Sequence, residues 1–328
     1  MTTKWNYKLL TNQQIEIRNQ LAEQLNINPI LVQLLVQRGI TDFDSARGFF
    51  RPDLRQLHDP FLMADMGKAV ERLEKALHNN EKILVYGDYD VDGTTSVSLI
   101  FCFLKKIYNN VIFYIPDRYT EGYGVSYQGI DYAAENQCML VIALDCGIKA
   151  IEKVRYASQK GIDFIICDHH TPDAELPPAI AVLDSKRADC HYPYKHLSGC
   201  GVGFKLLQAF CSVNNIDFKE IYSLLDLAAL SIASDIVPIT GENRILAHYG
   251  LQKMNKNPLL GIKSIIETCG LKDKEITVSD IVFKIGPRIN ASGRIKRASE
   301  AVELLVSRNA DFASEKSDTI NEYNNDRK

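Results

Sequence analysis

The sequence predicts an α/β fold, a doubly wound and mainly parallel five-stranded sheet, on two observations. First, short runs that are apolar throughout recur along the middle of the chain, at 83–86, 111–115, 139–144, 164–167 and 180–183. Second, helical patterns separate the first four runs, at 97–107, 126–135 and 150–159. Strands that are apolar on both faces and alternate with helices are typical of a parallel sheet covered by helices on both sides. We therefore expect such a domain over residues 80–240.

The segment before this domain predicts a helical N-terminal region over residues 1–79. Helix start and stop signals bound three helices, at 13–25, 29–38 and 44–50. A fourth helix, over 65–78, is amphipathic because its apolar residues recur three and four positions apart.

The segment after the sheet predicts a helical extension over residues 241–328. Helical patterns continue at 202–213, 221–233, 243–254, 259–268 and 300–306. Residues 286–295 hold two arginines among small residues and predict a loop. The last stretch, 310–328, is polar and helix-compatible and ends without a cap, so we expect the start of a connecting helix there.

The composition narrows the class of protein. The net charge of −3 and the pI near 6.2 argue against bulk electrostatic binding of nucleic acid, but they leave room for a local basic groove. No run approaches the roughly 20 apolar residues of a membrane span, and the first residues lack the layout of a secretory signal. These features predict a cytoplasmic protein without a membrane segment.

The eight cysteines do not indicate a disulfide or zinc framework. No two of them form a CxxC pair, and several lie in apolar runs, where a reduced cysteine behaves as a small hydrophobe. Cys190, His191, His196 and Cys200 are zinc-ligand types, but their spacing matches no usual structural site.

The strongest local motif is the run of alternate aspartates Asp88, Asp90 and Asp92, closed by Gly93. An EF-hand loop would need a glutamate at its twelfth position, where this chain has Leu99, and it would follow a helix. The motif instead follows a predicted strand, with threonines at 94 and 95 available to cap the next helix. Ligands bind at this edge of open α/β sheets.

Further acids and histidines follow other elements of the predicted domain. Asp145 follows the strand at 139–144, and Asp168, His169 and His170 follow the strand at 164–167. Carboxylates that converge on one edge repel one another and raise one another's pKa, and bound cations remove that cost. Asp235 lies just beyond an apolar helix and is either a fourth contribution or a loop acid.

This ligand set suits Mn²⁺ or Mg²⁺ better than zinc or copper, because it is rich in oxygen and offers a single imidazole. Two such ions can clamp the attacking and leaving oxygens of a phosphoester. Adjacent histidines point in different directions, so we expect His169 to bind metal and His170 to contact the scissile phosphate.

Cations near the same edge would bind phosphate. Arg118 follows the strand at 111–115, and Arg288 and Arg294 lie in the predicted loop. Guanidinium forks match phosphate geometry, although a solvated turn would also explain that loop. The glycine-rich run at 199–203 opens a helix and could cradle a phosphate as well.

The motifs together resemble the DHH phosphoesterase superfamily, whose four motifs are matched in order at 88–93, 145–147, 168–170 and 234–238. The first motif, Tyr-Thr-Glu-Gly-Tyr-Gly at 119–124 and Gly-Pro-Arg-Ile-Asn-Ala-Ser-Gly-Arg at 286–294 resemble its RecJ family in particular. The resemblance runs from about residue 30 to the end. It implies a 5′→3′ exonuclease that hydrolyses single-stranded DNA to mononucleotides in DNA repair and recombination, using two Mn²⁺ or Mg²⁺ ions. A single-strand-binding protein and a helicase would be its protein partners.

The resemblance also implies roles for individual residues. Asp90 would hold one metal ion with support from Asp88, and Asp145 would bridge the two ions. Asp92, His169 and Asp235 would hold the second ion. Four residues would contact substrate phosphates, namely Arg118, His170, Arg288 and Arg294, with Arg294 favoured over Arg288.

The sequence departs from the family pattern in two places. Many related phosphoesterases have a histidine four residues before the equivalent of Asp90, where this chain has Tyr86. RecJ proteins continue into a DHH-associated domain and an OB-fold, whereas this sequence ends in what resembles the connecting helix. We therefore expect either a piece of a longer protein or another source of grip on the substrate.

Two alternatives stay open at this point. One is a phosphoesterase of the same superfamily that acts on short oligonucleotides, cyclic dinucleotides or pyrophosphate. The other is a catalytically inactive replication scaffold, which would be expected to lack ligands that this sequence retains.

Overall fold

The structure of the protein is a computed structural model, in which residues 4, 8–295 and 297–326 are described. The chain divides between Gln56 and Leu57 into two compact units. The fourth predicted helix of the N-terminal region therefore belongs to the larger unit, together with the sheet.

The smaller unit contains three helices: α1 (Asn12–Leu25), α2 (Pro29–Val36) and α3 (Phe43–Phe50). Thr11 and Gln14 form a reciprocal capping box at the start of α1. Apolar residues of all three helices form its core, among them Leu21, Val32 and Ala46.

The larger unit is built on a five-stranded parallel sheet, which confirms the predicted fold class. Its strands are β1 (Lys82–Gly87), β2 (Val111–Tyr114), β3 (Cys138–Leu144), β4 (Asp163–Cys167) and β5 (Ala181–Leu183). The order across the sheet is β2-β1-β3-β4-β5. The chain therefore reverses its direction of winding at β1, whose neighbours are β2 on one side and β3 on the other. A crevice forms outside the carboxyl ends of the strands at such a switch point.

Helices cover both faces of this sheet. They are α4 (Met66–His78), α5 (Val91–Ile107), α6 (Tyr127–Glu135), α7 (Ile151–Gln159) and α8 (Gly199–Val213). The helices α5 and α8 pack together, and α6 and α7 pack together around a second apolar cluster. Buried Arg72 of α4 bonds Glu81 at 2.7 Å and Asp163 at 2.6 Å, which ties this helix to the start of two strands.

The rest of the larger unit is mainly helical, as expected, but two of the predicted segments differ. Its helices are α9 (Lys219–Tyr222), α10 (Leu225–Ser234), α11 (Gly241–Lys256), α12 (Leu260–Thr268), α13 (Val278–Asp280), α14 (Gly286–Ile295), α15 (Ser299–Leu305) and α16 (Ala310–Asp326). The single helix expected over 221–233 is split into α9 and α10. The prediction of a loop at 286–295 is wrong, because this segment forms the helix α14.

The composition of α14 explains why it was predicted as a loop. A π-helical turn, Ile281–Ile285, runs directly into α14, and Pro287, which has no N–H group to donate, lies just after this turn. A Cβ at Gly293 would lie 2.5 Å from the carbonyl oxygen of Tyr89, so glycine lets α14 approach the aspartate motif closely. The small residues therefore serve packing, not a turn.

Among the described residues, no helix is long and apolar enough to cross a membrane.

Candidate metal centre

The carboxyl ends of all five strands are followed by an aspartate within three residues. These residues are Asp88, Asp117, Asp145, Asp168 and Asp184. The sheet hydrogen bonding continues into two of them, since Asp145 donates its N–H to Cys167 and Asp168 donates its N–H to Leu183. In a parallel sheet these ends share one edge.

His169 lies at the middle of the cluster that the sequence predicted. Its Nε2 atom is 3.1 Å from Asp145 Oδ1, 3.7 Å from Asp92 Oδ2 and 3.7 Å from Asp235 Oδ2. Asp235 ends α10, and Ile236 after it takes a φ of +58°, so the chain turns sharply there. The structure thus brings together four residues from four separate segments of the sequence.

The amino end of α8 holds Asp92 in place. Its carboxylate accepts hydrogen bonds from Gly199 N at 2.7 Å, Cys200 N at 2.9 Å and the Ser231 hydroxyl at 2.7 Å. A Cβ at Gly199 would lie 2.6 Å from the Asp145 side chain, so only glycine fits between them. The first amide groups of this helix therefore bind a protein carboxylate, where the sequence suggested a phosphate.

Asp88 and Asp90 lie beside this cluster on the loop after β1. Asp90 caps α5 by accepting from Gly93 N at 3.0 Å, while the threonines expected as caps lie buried within the helix. Asp88 is buried, and Gly124 N lies 3.5 Å from its Oδ1. Neither residue belongs to the two groups of closely spaced ligand atoms found among the described residues. Those groups are Asp92, His169 and Asp235, and Asp145, His169 and His170.

The rings of the two adjacent histidines have centroids 4.6 Å apart and are inclined at 63° to each other. His170 Nδ1 bonds Asp168 Oδ1 at 2.7 Å, and its Nε2 lies 3.2 Å from the Tyr123 hydroxyl. This hydrogen bond, which His170 donates to the Asp168 carboxylate, raises the pKa of His170. The pKa of Asp168 is lowered in spite of its burial, by the same bond and by backbone N–H groups.

Burial and mutual repulsion shift the pKa values of the acids upward. Burial and the neighbouring Asp90 raise the pKa of Asp88 to about 7. Burial and the neighbouring Asp92 raise the pKa of Asp235 to about 7 and that of Asp145 well above its usual value. Burial lowers the pKa of His169 and so favours the neutral imidazole, the form that binds metal.

The unbonded atoms at this site fit a metal ion. Asp145 Oδ1 and both ring nitrogens of His169 are buried without a hydrogen-bond partner among the described residues. Asp145 Oδ1 and His169 Nε2 are only 3.1 Å apart, yet they are not aligned as donor and acceptor. Buried polar atoms without partners are costly, and a divalent cation would satisfy them together with the carboxylates of Asp92 and Asp235.

The metal-free protein is expected to lose stability as the pH rises from 5 to 8. The folded-state pKa values of Asp88 and Asp235 are about 7, above the ordinary value of 3.8. Their contribution to folding is therefore complete below pH 3.8 and is lost as the pH rises through 7. We expect a loss on the order of 2 kcal/mol, seen as a lower thermal midpoint in EDTA. Saturating Mn²⁺ should abolish this dependence, and a metal-free midpoint that rises with pH would contradict the assignment.

A pocket beside the cluster, which we call the arginine pocket, is lined by Asp88, Tyr89, Asp90, Arg118, Tyr123, Asn290 and Arg294 and has a volume of about 210 Å³. The Arg118 guanidinium lies over the Tyr89 ring, 5.1 Å from its centroid. The Tyr119 hydroxyl donates to the Arg294 carbonyl at 2.5 Å. Both arginine side chains are exposed and lie where they can meet an anion.

Arg288 does not line the arginine pocket. It bonds Asn321 at 2.9 Å and the Lys284 carbonyl at 2.8 Å, which fastens α14 to α16. Tyr86 is likewise engaged elsewhere than at the metal centre, since its buried hydroxyl donates to the Gly124 carbonyl at 2.9 Å. Both residues stabilise the elements that carry the site.

Sequence reasoning missed four residues of this site. Ser231 stands one helical turn before Asp235, and this spacing could have placed both on one face of α10. Asn290 accepts from Val91 N at 3.1 Å and lies within the arginine motif. Tyr123 lies within the motif at 119–124, whereas Asp184 carries no comparable signal. One buried oxygen of Asp184 has no partner among the described residues, and burial raises its pKa to about 6.

The fold and the site define the DHH class of α/β proteins, and the DHH family N-terminal domain matches residues 82–232. The single-stranded-DNA-specific exonuclease RecJ of Bacillus subtilis (strain 168) is 38% identical over 100% of this chain and 41% of its own length. A crystal structure of exonuclease RecJ bound to manganese is 30% identical, covers 84% of this chain and 68% of its own, and has a TM-score of 0.75. A RecJ structure in complex with Mn²⁺ from Thermus thermophilus is 26% identical, covers 95% of this chain and 44% of its own, and has a TM-score of 0.82.

The chain belongs to the RecJ family. It spans about half the length of the curated relatives that it matches.

Proposed function

We propose that this chain is the catalytic core of an exonuclease that hydrolyses single-stranded DNA to mononucleotides in the 5′→3′ direction. The observation that carries the proposal is the convergence of Asp92, Asp145 and Asp235 on His169, with buried atoms left unbonded. The arginine pocket beside them supplies phosphate-binding groups. The relatives' names as single-stranded-DNA-specific exonucleases support the same substrate.

Two Mn²⁺ or Mg²⁺ ions would serve as cofactors, as the manganese in related RecJ structures suggests. Asp92, His169 and Asp235 would hold one ion, Asp90 with Asp88 the other, and Asp145 would lie between them. Such ions supply Lewis acidity, which makes water a better nucleophile and stabilises charge on a phosphoester.

The chain's own residues would bind and orient the strand. Asp168 holds Nδ1 of His170, and Nε2, which lies 3.2 Å from the Tyr123 hydroxyl, would donate a hydrogen bond to an oxygen of the scissile phosphate. Arg118 and Arg294 would bind the terminal phosphate, which carries more charge than an internal one. Hydrolysis adds water across the bond between phosphorus and the 3′ oxygen. The 3′ oxygen of the departing nucleotide takes a proton and becomes a 3′ hydroxyl, and the phosphate remains as the 5′ phosphate of the shortened strand.

The cellular setting is proposed from the same family relationship. We place the protein in the cytoplasm, in DNA repair and recombination, with single-strand-binding protein and a helicase as partners. Arg288 is the one predicted phosphate contact that we do not retain, because its guanidinium is engaged between α14 and α16.

The test is digestion of single-stranded DNA labelled separately at each end, in the presence of Mn²⁺. Early release of mononucleotide from the 5′ label alone is expected. Cleavage of dinucleotides but not of the long strand would instead identify a phosphoesterase for short oligonucleotides. No cleavage of either substrate by this chain would overturn the proposal that it is a sufficient catalytic core.

A further inference from the structure

A second cavity adjoins the metal centre on the other side of Tyr123. We call it the lysine pocket. It has a volume of about 210 Å³ and is lined by Tyr123, Gly124, Val125, Gly147, Ile148, Lys149, Ala150, Lys153, Asp168 and His170. Tyr123 lines both this cavity and the arginine pocket, so the two are neighbours along one surface. His170 forms part of its wall, and any molecule bound there lies next to the group that would contact the scissile phosphate.

The walls of the lysine pocket combine an apolar floor with two ammonium groups. Buried Val125 and Ile148 and half-buried Ala150 form the apolar base of the cavity, while Lys149 and Lys153 supply positive charge. Pockets for drug-sized ligands usually have volumes of roughly 300 Å³ or more. The lysine pocket is smaller, so it suits a single flat ring. An apolar slot with cations beside it matches a nucleobase whose own backbone phosphate lies outside the slot.

The charges of the lysine pocket are available to a phosphate. Among the described residues Lys149 forms an ion pair only with exposed Asp173, at 3.1 Å, and such a surface pair is readily exchanged. No described residue forms an ion pair with Lys153. The one carboxylate in the wall, Asp168, is fully engaged by His170 and by the backbone N–H groups of Ile148 and His169.

We infer that the lysine pocket binds the second nucleotide of the strand, with its base on the apolar floor and its 3′ phosphate at Lys149 and Lys153. This inference rests on the proposed function. The two pockets offer different cationic groups, and these match the different charges of a terminal and an internal phosphate. A terminal phosphate carries up to two charges and suits the guanidinium forks of Arg118 and Arg294. An internal diester carries one charge, for which an ammonium group is sufficient.

The test compares a 5′-phosphorylated thymidine dinucleotide with the corresponding trinucleotide. Only the trinucleotide has a phosphate on the 3′ side of its second nucleotide. We expect the wild-type protein to show a KM for the trinucleotide roughly tenfold below that for the dinucleotide. The Lys149→Gln, Lys153→Gln double variant should lose this advantage and hydrolyse the dinucleotide as the wild type does.

A salt titration separates a direct phosphate contact from a structural effect. Loss of one phosphate contact should reduce the slope of log KM against log salt by about 0.7 for a single strand. Lys160→Gln is the matched control, since Lys160 directly follows α7, the helix that contains Lys153, and pairs with Asp131 at 3.0 Å, outside the pocket. Its KM values and salt slope should stay at the wild-type level.

The outcomes distinguish this inference from the proposed function. Equal KM values for the two substrates in the wild type would overturn the inference while leaving the nuclease in place. A double variant that keeps the trinucleotide advantage would overturn it as well. Wild-type protein that hydrolyses neither substrate would overturn the proposed function and the inference with it.

Discussion

Replacing Asp145 with Asn is expected to reduce hydrolysis of single-stranded DNA by at least about a thousandfold, or roughly 4 kcal/mol of transition-state stabilisation. Asp145 is buried and lies 3.1 Å from His169, and it is the residue that we propose would be shared by the two metal ions. An amide of the same shape would carry no charge to share between two cations. Asparagine also tolerates the φ of +58° at this position, so the fold should be retained.

The same substitution should make the metal-free protein more stable at pH 8. Burial and the neighbouring aspartates raise the pKa of Asp145, so its charged form opposes folding at that pH. Thermal unfolding in EDTA should therefore give a higher midpoint for Asp145→Asn than for the wild type, and Mn²⁺ should stabilise the variant less. A loss of hydrolysis combined with a higher metal-free midpoint is expected of a metal ligand, and not of a residue that only supports the fold.

Asp117→Asn is the matched control for Asp145→Asn. Asp117 follows a strand at the same edge, but its carboxylate accepts from Tyr119 and Thr120 in a local turn. We expect little change in hydrolysis or in the response to Mn²⁺. Near-wild-type turnover of the Asp145 variant with Mn²⁺ supplied would refute the assignment of the centre.

Replacing Lys205 with Met is expected to lower the free energy of unfolding by about 3–5 kcal/mol. Lys205 and Glu242 are almost completely buried, with Nζ and Oε1 3.0 Å apart. The Lys205 ammonium also donates to the His58 carbonyl at 2.7 Å, and the Tyr192 hydroxyl donates to the other Glu242 oxygen at 2.5 Å. Removing the lysine leaves a buried carboxylate without its countercharge. Urea denaturation monitored by circular dichroism would measure the effect.

An exposed ion pair provides the comparison for this buried one. Lys68 pairs with Asp65 at 2.7 Å, but its side chain is 67% exposed. Lys68→Met should therefore change stability by less than about 1 kcal/mol. Adding Glu242→Gln to Lys205→Met should recover part of the loss, because the uncompensated charge is removed. A Lys205→Met protein as stable as the Lys68→Met protein would show that the buried pair contributes little.

The sequence was sufficient to predict the sheet and the edge at which the aspartates meet. Strands such as β3 and β4 are continuously apolar, and each is followed directly by an acid, so local pattern and the parallel arrangement together place Asp145 and Asp168. No knowledge of distant contacts is needed for that step. The helix α10 and its terminal Asp235 were harder to place, because a helix end has no fixed position relative to a sheet.

What the sequence could not predict depends on contacts between distant segments. Asp92 and Gly199 are 107 residues apart, and nothing near either one indicates that the first amides of α8 bind a carboxylate. The helix α14 was missed for the same reason. Its glycines and proline are typical of a loop, and only the close approach of Gly293 to Tyr89 shows why a helix needs them.

The dependence of the centre on Asp235 and α14 has a consequence for the order in which the protein matures during synthesis. All five strands have been synthesised by residue 183, whereas Asp235 and Arg294 follow much later. A nascent chain arrested between these points would have a complete sheet and an incomplete ligand set. Tight Mn²⁺ binding should thus begin only once α10 has left the ribosome, so that the acquisition of metal reports the completion of the domain and not the completion of its sheet.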